Sequence, residues 1–357
     1  MSTNRRKFLA GGATAAGATL ASPAIVRAQT RTWRMVTSWP KNLPGPGTTA
    51  QFLADQITIM SQGRLEVTVY PAGELVSGLG VLDAVAGKVA QMGHTASFFW
   101  TGKMPAAAFF TAVPFGLTPL EHIAWIEHGG GQDLWDQLYE PFRVKPLMAG
   151  NSGMQMGGWL KKEVNSLDDM KGLRFRIPGL GGAMMQKLGV VPVLMAPSEI
   201  LPALQSGAID GTEFLGPWSD RAAGFYKAAS NYYWPGFHEP NGTSEALINL
   251  KSWNNLPDDL KQIVENACRA ANMLGLSETE WRNAEALQAL KGDGVTTRRW
   301  PDDIVRAARD VATEVILEFG QGSDIEQRIY LSYETMRARA RNWSRVGAEA
   351  FLTARNG

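Results

Sequence analysis

A chain of 357 residues, 45% hydrophobic and 19% charged, has the composition of a folded globular protein, long enough for two domains that each bury a core. The formal charge of +1 argues against a nucleic-acid partner, and the single cysteine, Cys268, excludes both an intramolecular disulfide framework and metal sites built from several thiolates. His94, His122, His128 and His238 follow no HExxH or similar spacing and read as structural or surface residues; Cys268, in a helical context, reads as a buried, inert thiol.

The first residues carry a leader. Asn4-Arg5-Arg6-Lys7-Phe8-Leu9 is a twin-arginine pattern, residues 10–21 are a weakly apolar Ala/Gly-rich run, and Val26-Arg27-Ala28 ends in the small-x-small form of a signal-peptidase site. Glycine and threonine interrupt the run and it is too short for a membrane span. Cleavage is expected after Ala28, with a mature start at Gln29. The leader takes four of the 35 basic residues and no acidic one, leaving 31 against 34 and a mature charge of about −3. No later segment has the length and apolarity of a membrane helix.

The mature chain opens with an expected strand over 32–38 and a helix from Thr48 with Leu53, Ile57 and Met60 on one face, ended by Gly63. Leu65, Val67 and Val69 alternate in a second strand; a helix over about 76–87 and a strand from about Gln91 complete a strand–helix–strand–helix–strand unit, the signature of a parallel α/β layer. The second half repeats this logic. Strands are expected over 144–148, 157–160, 174–177, 190–195 and 209–215, with helices over 183–188 and 198–205. From Pro257 helical patterns dominate, over 258–274, 277–290 and 302–319, followed by a strongly charged run over 325–352. Its arginines are interspersed with glutamates and lack stacking aromatics, which suits a helix packed on a partner subunit or across both lobes better than a nucleic-acid face.

One stretch organises these elements. In Leu173-Arg174-Phe175-Arg176-Ile177-Pro178-Gly179 the apolar residues alternate with two arginines, the period of a half-buried strand, and Pro178-Gly179 stops it. Arg176 at the strand end can present a planar fork to a carboxylate. Three further stretches can meet it. The glycine-rich loop 150–158 offers the amides of Asn151 and Gln155, and has neither a P-loop ending nor GxGxxG spacing. Thr212-Glu213-Phe214-Leu215-Gly216-Pro217 puts a carboxylate at a strand end, and Trp234-Pro235-Gly236-Phe237-His238-Glu239-Pro240 puts a second in a proline-bounded aromatic loop. Each residue alone also fits an ordinary surface role. Together they form a set of hard oxygen ligands beside an arginine, suited to sodium or calcium and not to zinc or copper. Glu213, Glu239, Arg176 and one substrate carboxylate leave a net charge that a divalent ion neutralises and a monovalent ion does not, which leans toward calcium.

The twin-arginine leader, Gln91-Met92-Gly93, the 150–158 loop, the Arg176 strand and Ser206-Gly207-Ala208-Ile209-Asp210-Gly211 resemble the TRAP-transporter periplasmic solute-binding proteins. Thr212-Glu213-Phe214-Leu215-Gly216-Pro217 is most similar to their metal-dependent 2-oxoacid and lactate-binding subgroup. The resemblance implies an α/β, two-lobed periplasmic-binding-protein-like fold with a long C-terminal helical region. It implies a signal peptide over 1–28, lobe 1 mainly over 29–150, and lobe 2 mainly over 151–250 with the chain crossing between lobes. Residues 251–357 would complete the lobes and supply a dimerisation helix. It further implies Arg176 as carboxylate clamp, Gln155 touching both substrate and metal, and Glu213, the Phe214 main-chain carbonyl and Glu239 as ligands of a sodium or calcium ion. Phe214 stands where the subgroup carries a tryptophan; a backbone ligand survives that change, whereas the pocket shape changes. Asn151 and Phe99 would line the pocket. A small organic acid, TRAP membrane permease subunits and a second copy of the chain are the implied partners.

Two other classes compete with this binder. An exported enzyme would use the same leader, but cofactor fingerprints and a nucleophile–base pair are missing, and Glu213 with Glu239 as a glycosidase acid pair would need one raised pKa and a suitable separation. A structural dimer built on the C-terminal helices would leave the convergent Arg176 cluster without a role.

Overall fold

The computed structural model describes residues 30–357; the leader expected over 1–28 lies outside them. The chain begins with β1 (Arg31–Thr37), α1 (Pro46–Met60), β2 (Leu65–Tyr70), α2 (Val81–Ala86) and β3 (Met92–Thr95). β1 pairs in parallel with β2 on one side and β3 on the other, as strand–helix alternation predicts. α1 starts at Pro46, where a missing N–H leaves no bond unmade, and buries Ala50, Leu53, Ala54 and Ile57 on one face. α2 is shorter than the helix expected over 76–87. The Ser38 hydroxyl donates to the Gly78 carbonyl at 2.6 Å and holds that part of the chain in a turn.

α3 (Pro119–His128) and α4 (Gly131–Tyr139) follow, neither anticipated from periodicity, although α3 carries a capping box from Thr118 and Glu121. Then come β4 (Val144–Asn151), β5 (Gly158–Leu160), β6 (Arg174–Arg176), α5 (Gly179–Lys187), β7 (Val191–Val193), α6 (Pro197–Ser206), β8 (Gly211–Thr212), α7 (Pro217–Ala223) and β9 (Asn231–Trp234). The strand expected over 209–215 is therefore two residues long. Past Thr212 the chain leaves the sheet because Asp220 takes the Leu215 N–H and the Met156 N–H takes the Leu215 carbonyl. β10 (Thr243–Asn249) is a further unanticipated strand, buried along its whole length and hence without alternation to betray it.

The strands form two sheets, ordered β2-β1-β3-β10-β4 and, with β11 (Thr296–Arg299), β11-β9-β5-β8-β6-β7. β10 is antiparallel to both β3 and β4, so a strand that follows the second sheet's β9 in sequence is built into the first. The two sheets and their helices give the two-lobed α/β fold expected from the sequence.

Three stretches of chain pass from one lobe to the other. The segment 152–157 joins β4 to β5 and the segment 235–242 joins β9 to β10, and they run side by side. Ser152 N donates to Gly242 O at 2.9 Å, and Gly236 N to Gln155 O at 3.1 Å. A Cβ at Gly236 would collide with the Gln155 carbonyl, so the approach requires glycine. The third is α9 (Asp258–Gly292), which follows α8 (Leu250–Asn254) and packs on β4 and α1 of one lobe and α7 of the other. The sequence pattern predicted two helices here, broken near Gly275. The helix instead continues through Gly275, because a side chain there would press on the Asn151 backbone at about 3.2 Å. Close packing outweighs glycine's poor helix propensity of about 1 kcal/mol. α10 (Asp302–Phe319), α11 (Asp324–Val346) and α12 (Ala348–Asn356) close the chain; the charged run expected over 325–352 is divided at Gly347.

Candidate substrate and metal site between the lobes

The ends of β6 and β8 and the two parallel crossing segments meet at one cleft. Its walls carry both apolar rings, among them Trp39, Phe98 and Phe99, and a few buried polar groups, the mixture typical of small-molecule sites. Arg176 is the last residue of β6 and only 2% exposed. The neighbouring parallel strand β8 ends at Thr212, so Glu213, 1% exposed, emerges beside it. Arg176 Nη1 donates to Glu213 Oε1 in a short ion pair, while Nε and Nη2 both approach the Met195 carbonyl at 3.4 Å. The Phe214 ring lies 6.0 Å from the guanidinium carbon. Such a cation is buried at high cost unless anions face it, and Arg176 is among the residues that line the cleft.

The crossing segments add the remaining polar groups. Glu213, His238 and Glu239 bring one ligand atom each to within 4.8 Å of one another, all buried. His238 Nε2 lies 3.4 Å from Glu213 Oε2, and its Nδ1 has no hydrogen-bond partner among the described residues. Burial, reinforced by the Glu213 charge and opposed by Arg176, holds the Glu239 carboxyl well above the usual carboxylate range. Gln155 donates from Nε2 to Ser152 Oγ at 2.9 Å and leaves its carbonyl Oε1 buried without a partner. A buried amide oxygen left unpaired costs about 1–3 kcal/mol, and a hard cation is the group that offsets it beside two carboxylates.

Arg176, Gln155, Phe214, Glu239, Asn151 and Phe99 all line this cleft, and Glu213 sits directly behind it on Arg176. The structure thus brings together every residue singled out from the sequence. Asn151 is held in place by its own neighbours. Its amide donates to Asn241 Oδ1 at 2.8 Å and its carbonyl accepts the Gly153 N–H at 2.8 Å, bonds that fix the side chain in the wall. Phe99 meets Phe98 edge-on at 4.8 Å and Trp39 at 6.3 Å, forming the apolar side.

Sequence reasoning missed His238, because no spacing rule links it to Glu213; its only signal is adjacency to Glu239. His94 and His122 are buried as well. Burial lowers both to about 4, so they are neutral. His94 Nδ1 accepts the Trp39 indole N–H at 2.8 Å, which leaves Nε2 as the donor to Ala149 O. Glu245, also unanticipated, accepts from Ser97 Oγ at 2.8 Å and Trp100 Nε1 at 2.7 Å, and so fixes the turn that carries Phe98 and Phe99. Cys268 is buried and its thiol is pushed far up by burial, consistent with an inert residue.

The fold is shared with solved relatives. Residues 35–322 match the family described as bacterial extracellular solute-binding protein, family 7 (DctP). The chain belongs to that family. This family 7 receptor is 41% identical over 314 residues to the monocarboxylate 2-oxoacid-binding periplasmic protein of a Nostoc species, covering 88% of this chain and 86% of the relative. Among solved structures, a TRAP periplasmic solute-binding protein from Pseudoalteromonas atlantica with bound sodium and pyruvate superposes with a TM-score of 0.88 at 35% identity, covering 91% of this chain and 99% of the other. One from Colwellia psychrerythraea with bound calcium and pyruvate gives 0.87 at 35% identity, covering 91% and 100%. A third, from Bordetella bronchiseptica, is a mixed-occupancy dimer with calcium and picolinate in one site; it gives 0.89 at 34% identity, covering 91% and 97%. Family 7 is a family of substrate receptors and not of enzymes, and its named members here are periplasmic. No described helix is long and apolar enough to cross a membrane.

Proposed function

We propose that this family 7 receptor captures a 2-oxoacid monocarboxylate such as pyruvate, together with a sodium or calcium ion, and delivers it to TRAP permease subunits. The observation that carries the reading is the buried cluster of Arg176, Glu213 and Glu239 beside the unpartnered Gln155 carbonyl. Arg176 would clamp the substrate carboxylate. Gln155, Glu213, the Phe214 carbonyl and Glu239 would hold the ion, which supplies a positive charge that a 2-oxoacid chelates. His238 stands next to this set and would orient Glu213. The cleft lies between lobes joined by paired crossing segments, which suits capture by closure with no covalent step. The relatives' ligands, pyruvate with sodium or calcium, support the same substrate class. The twin-arginine leader would export the folded receptor to the periplasm.

Ion-stripped protein should show a melting-temperature rise with pyruvate only when sodium or calcium is present, by ligand linkage. At a ligand concentration of 100 times Kd the gain is about 2.7 kcal/mol. Pyruvate stabilisation that ignores both ions would leave an arginine-only carboxylate site, and no stabilisation in any condition would remove pyruvate as the ligand.

We also propose that α11 and α12 form a homodimer contact. Trp343 is 71% and Val346 73% exposed, Leu331 and Phe351 are exposed with them, and α12 has no buried residue. Large apolar side chains gathered on one terminal region mark an association face. Sedimentation velocity should give a dimer for the wild type and a monomer for Trp343→Glu/Phe351→Glu; a monomeric wild type would refute the contact.

A further inference from the structure

The ion ligand expected from Phe214 is a main-chain carbonyl in a segment that belongs to no strand or helix, lying between β8 and α7. Something must fix that peptide. The carbonyl shares its peptide unit with the Leu215 N–H, and in a trans peptide these two groups point in opposite directions. The Leu215 N–H donates to Asp220 Oδ1 at 3.0 Å. We infer that Asp220 is the positioning residue for the ion site, holding the Phe214–Leu215 peptide so that the Phe214 carbonyl faces the cleft; this rests on the metal-dependent reading proposed above.

Asp220 is built for the task. It is fully buried in the first turns of α7 and is itself held from two sides. Its Oδ2 accepts the Trp159 indole N–H at 2.9 Å and the Tyr232 hydroxyl at 2.7 Å. Those two rings stack at 3.9 Å in the buried core beside the second sheet, so the carboxylate is anchored to packed core residues. All three of its hydrogen-bond partners present donors, which a carboxamide cannot all satisfy; burial raises the carboxyl to about 7, and these donors oppose that rise by favouring the ionised form. The Asp220 N–H in turn donates to Gly216 O at 3.0 Å, closing the loop on itself. No hydrogen bond to the Phe214 carbonyl is formed by the described residues, which leaves that oxygen free for a cation. An anion on the N–H side of an amide also draws electron density onto its carbonyl oxygen, the direction that strengthens binding of a hard ion. Asp220 thus stands to the Phe214 carbonyl as an outer carboxylate stands to a metal-bound histidine. Sequence alone hides this role, because Asp220 is six residues from Phe214 and touches no other ligand of the set.

Three proteins test it: wild type, Asp220→Asn and Tyr232→Phe, each titrated with calcium at saturating pyruvate in a calorimeter, with the ion-free melting temperature measured in parallel. Asp220→Asn is expected to weaken calcium by about 10–100-fold, the usual effect of losing an outer-shell partner. Tyr232→Phe removes a hydrogen bond from the same carboxylate but leaves the Leu215 contact, so calcium affinity should stay within about threefold while the melting temperature falls. A merely structural Asp220 would instead lower the melting temperature in both variants and leave calcium affinity within about threefold of wild type in both, which overturns the inference. Should Asp220→Asn fail to fold, Asp220→Glu keeps the charge and displaces it by one methylene, and the same loss is expected. A wild type whose pyruvate binding ignores calcium and sodium overturns the metal-dependent reading and this inference with it. An ion-dependent wild type with an unchanged Asp220→Asn overturns this inference alone.

Discussion

Replacing Arg176 with alanine is expected to abolish pyruvate capture and to destabilise the ion-free protein at the same time. Two charge-assisted hydrogen bonds to a substrate carboxylate are worth about 1.5–3 kcal/mol each, so affinity should fall on the order of 10²–10⁴-fold. The stability loss has a separate cause. Glu213 is 1% exposed, and without Arg176 the side chain left beside it is the His238 ring, with Nε2 at 3.4 Å. Removing one member of a buried ion pair costs about 3–5 kcal/mol, because the other charge is left uncompensated. The double variant Arg176→Ala/Glu213→Gln should therefore regain most of the lost stability and none of the pyruvate affinity. Thermal denaturation and isothermal titration read the two effects independently. A single variant that keeps pyruvate affinity within tenfold would show that Arg176 is not the clamp.

Glu239→Gln is expected to weaken ion binding and to remove its pH dependence together. Calcium sites set their affinity by the number of charged ligands, so losing one carboxylate should weaken calcium on the order of 10²-fold or more. The pH dependence follows from the direction of the Glu239 shift. Burial and the Glu213 charge raise its folded-state pKa above the ordinary carboxylate value. The folded, ion-free protein then holds a proton that the unfolded chain has released, so its stability falls as pH rises above the unfolded pKa of about 4.3. An ion binds the deprotonated carboxylate and displaces that proton. Apparent calcium affinity should accordingly rise with pH, by up to about tenfold per pH unit while Glu239 remains protonated in the free protein, and level off above its folded pKa. Titrations in buffers of different ionisation enthalpy should reveal the released proton. Glu239→Gln should give a flat profile and no release; a wild type with no proton release below the folded pKa would rule out Glu239 as a ligand.

The paired crossing segments explain why these two effects are linked. Gln155 and Glu239 lie on the two adjacent strands of chain that join the lobes, while Arg176 and Glu213 stand on the second lobe alone. A ligand that touches both sets bridges a rigid sheet end and the connection itself.

Much of this was open to reading in the residues themselves. The β1–α1–β2 unit declares itself because its apolar residues fall at periods of two and 3.6, and local periodicity depends only on which face is wet. Arg176 could be placed at a strand end because Pro178-Gly179 stops the strand on its own. The acidic and amide character of the cleft followed from residue type alone. Tertiary structure decided the rest. β10 is buried on both faces and has no period to detect, so only its pairing with β3 and β4 reveals it. α9 runs unbroken through Gly275 because close packing against Asn151, and not local propensity, sets its course. The Asn151 amide lines the cleft as expected, but its bonds to Asn241 and Gly153, which fix it in the wall, are tertiary contacts. His238 meets Glu213 across 25 residues, and Asp220 is held by Trp159 across 61, contacts that no local pattern announces. Sequence fixes residue chemistry and local period, since both are properties of short stretches. Which buried polar atom finds a partner, and which is left for an ion, is a property of contacts between distant segments, and those exist only once the two lobes have packed.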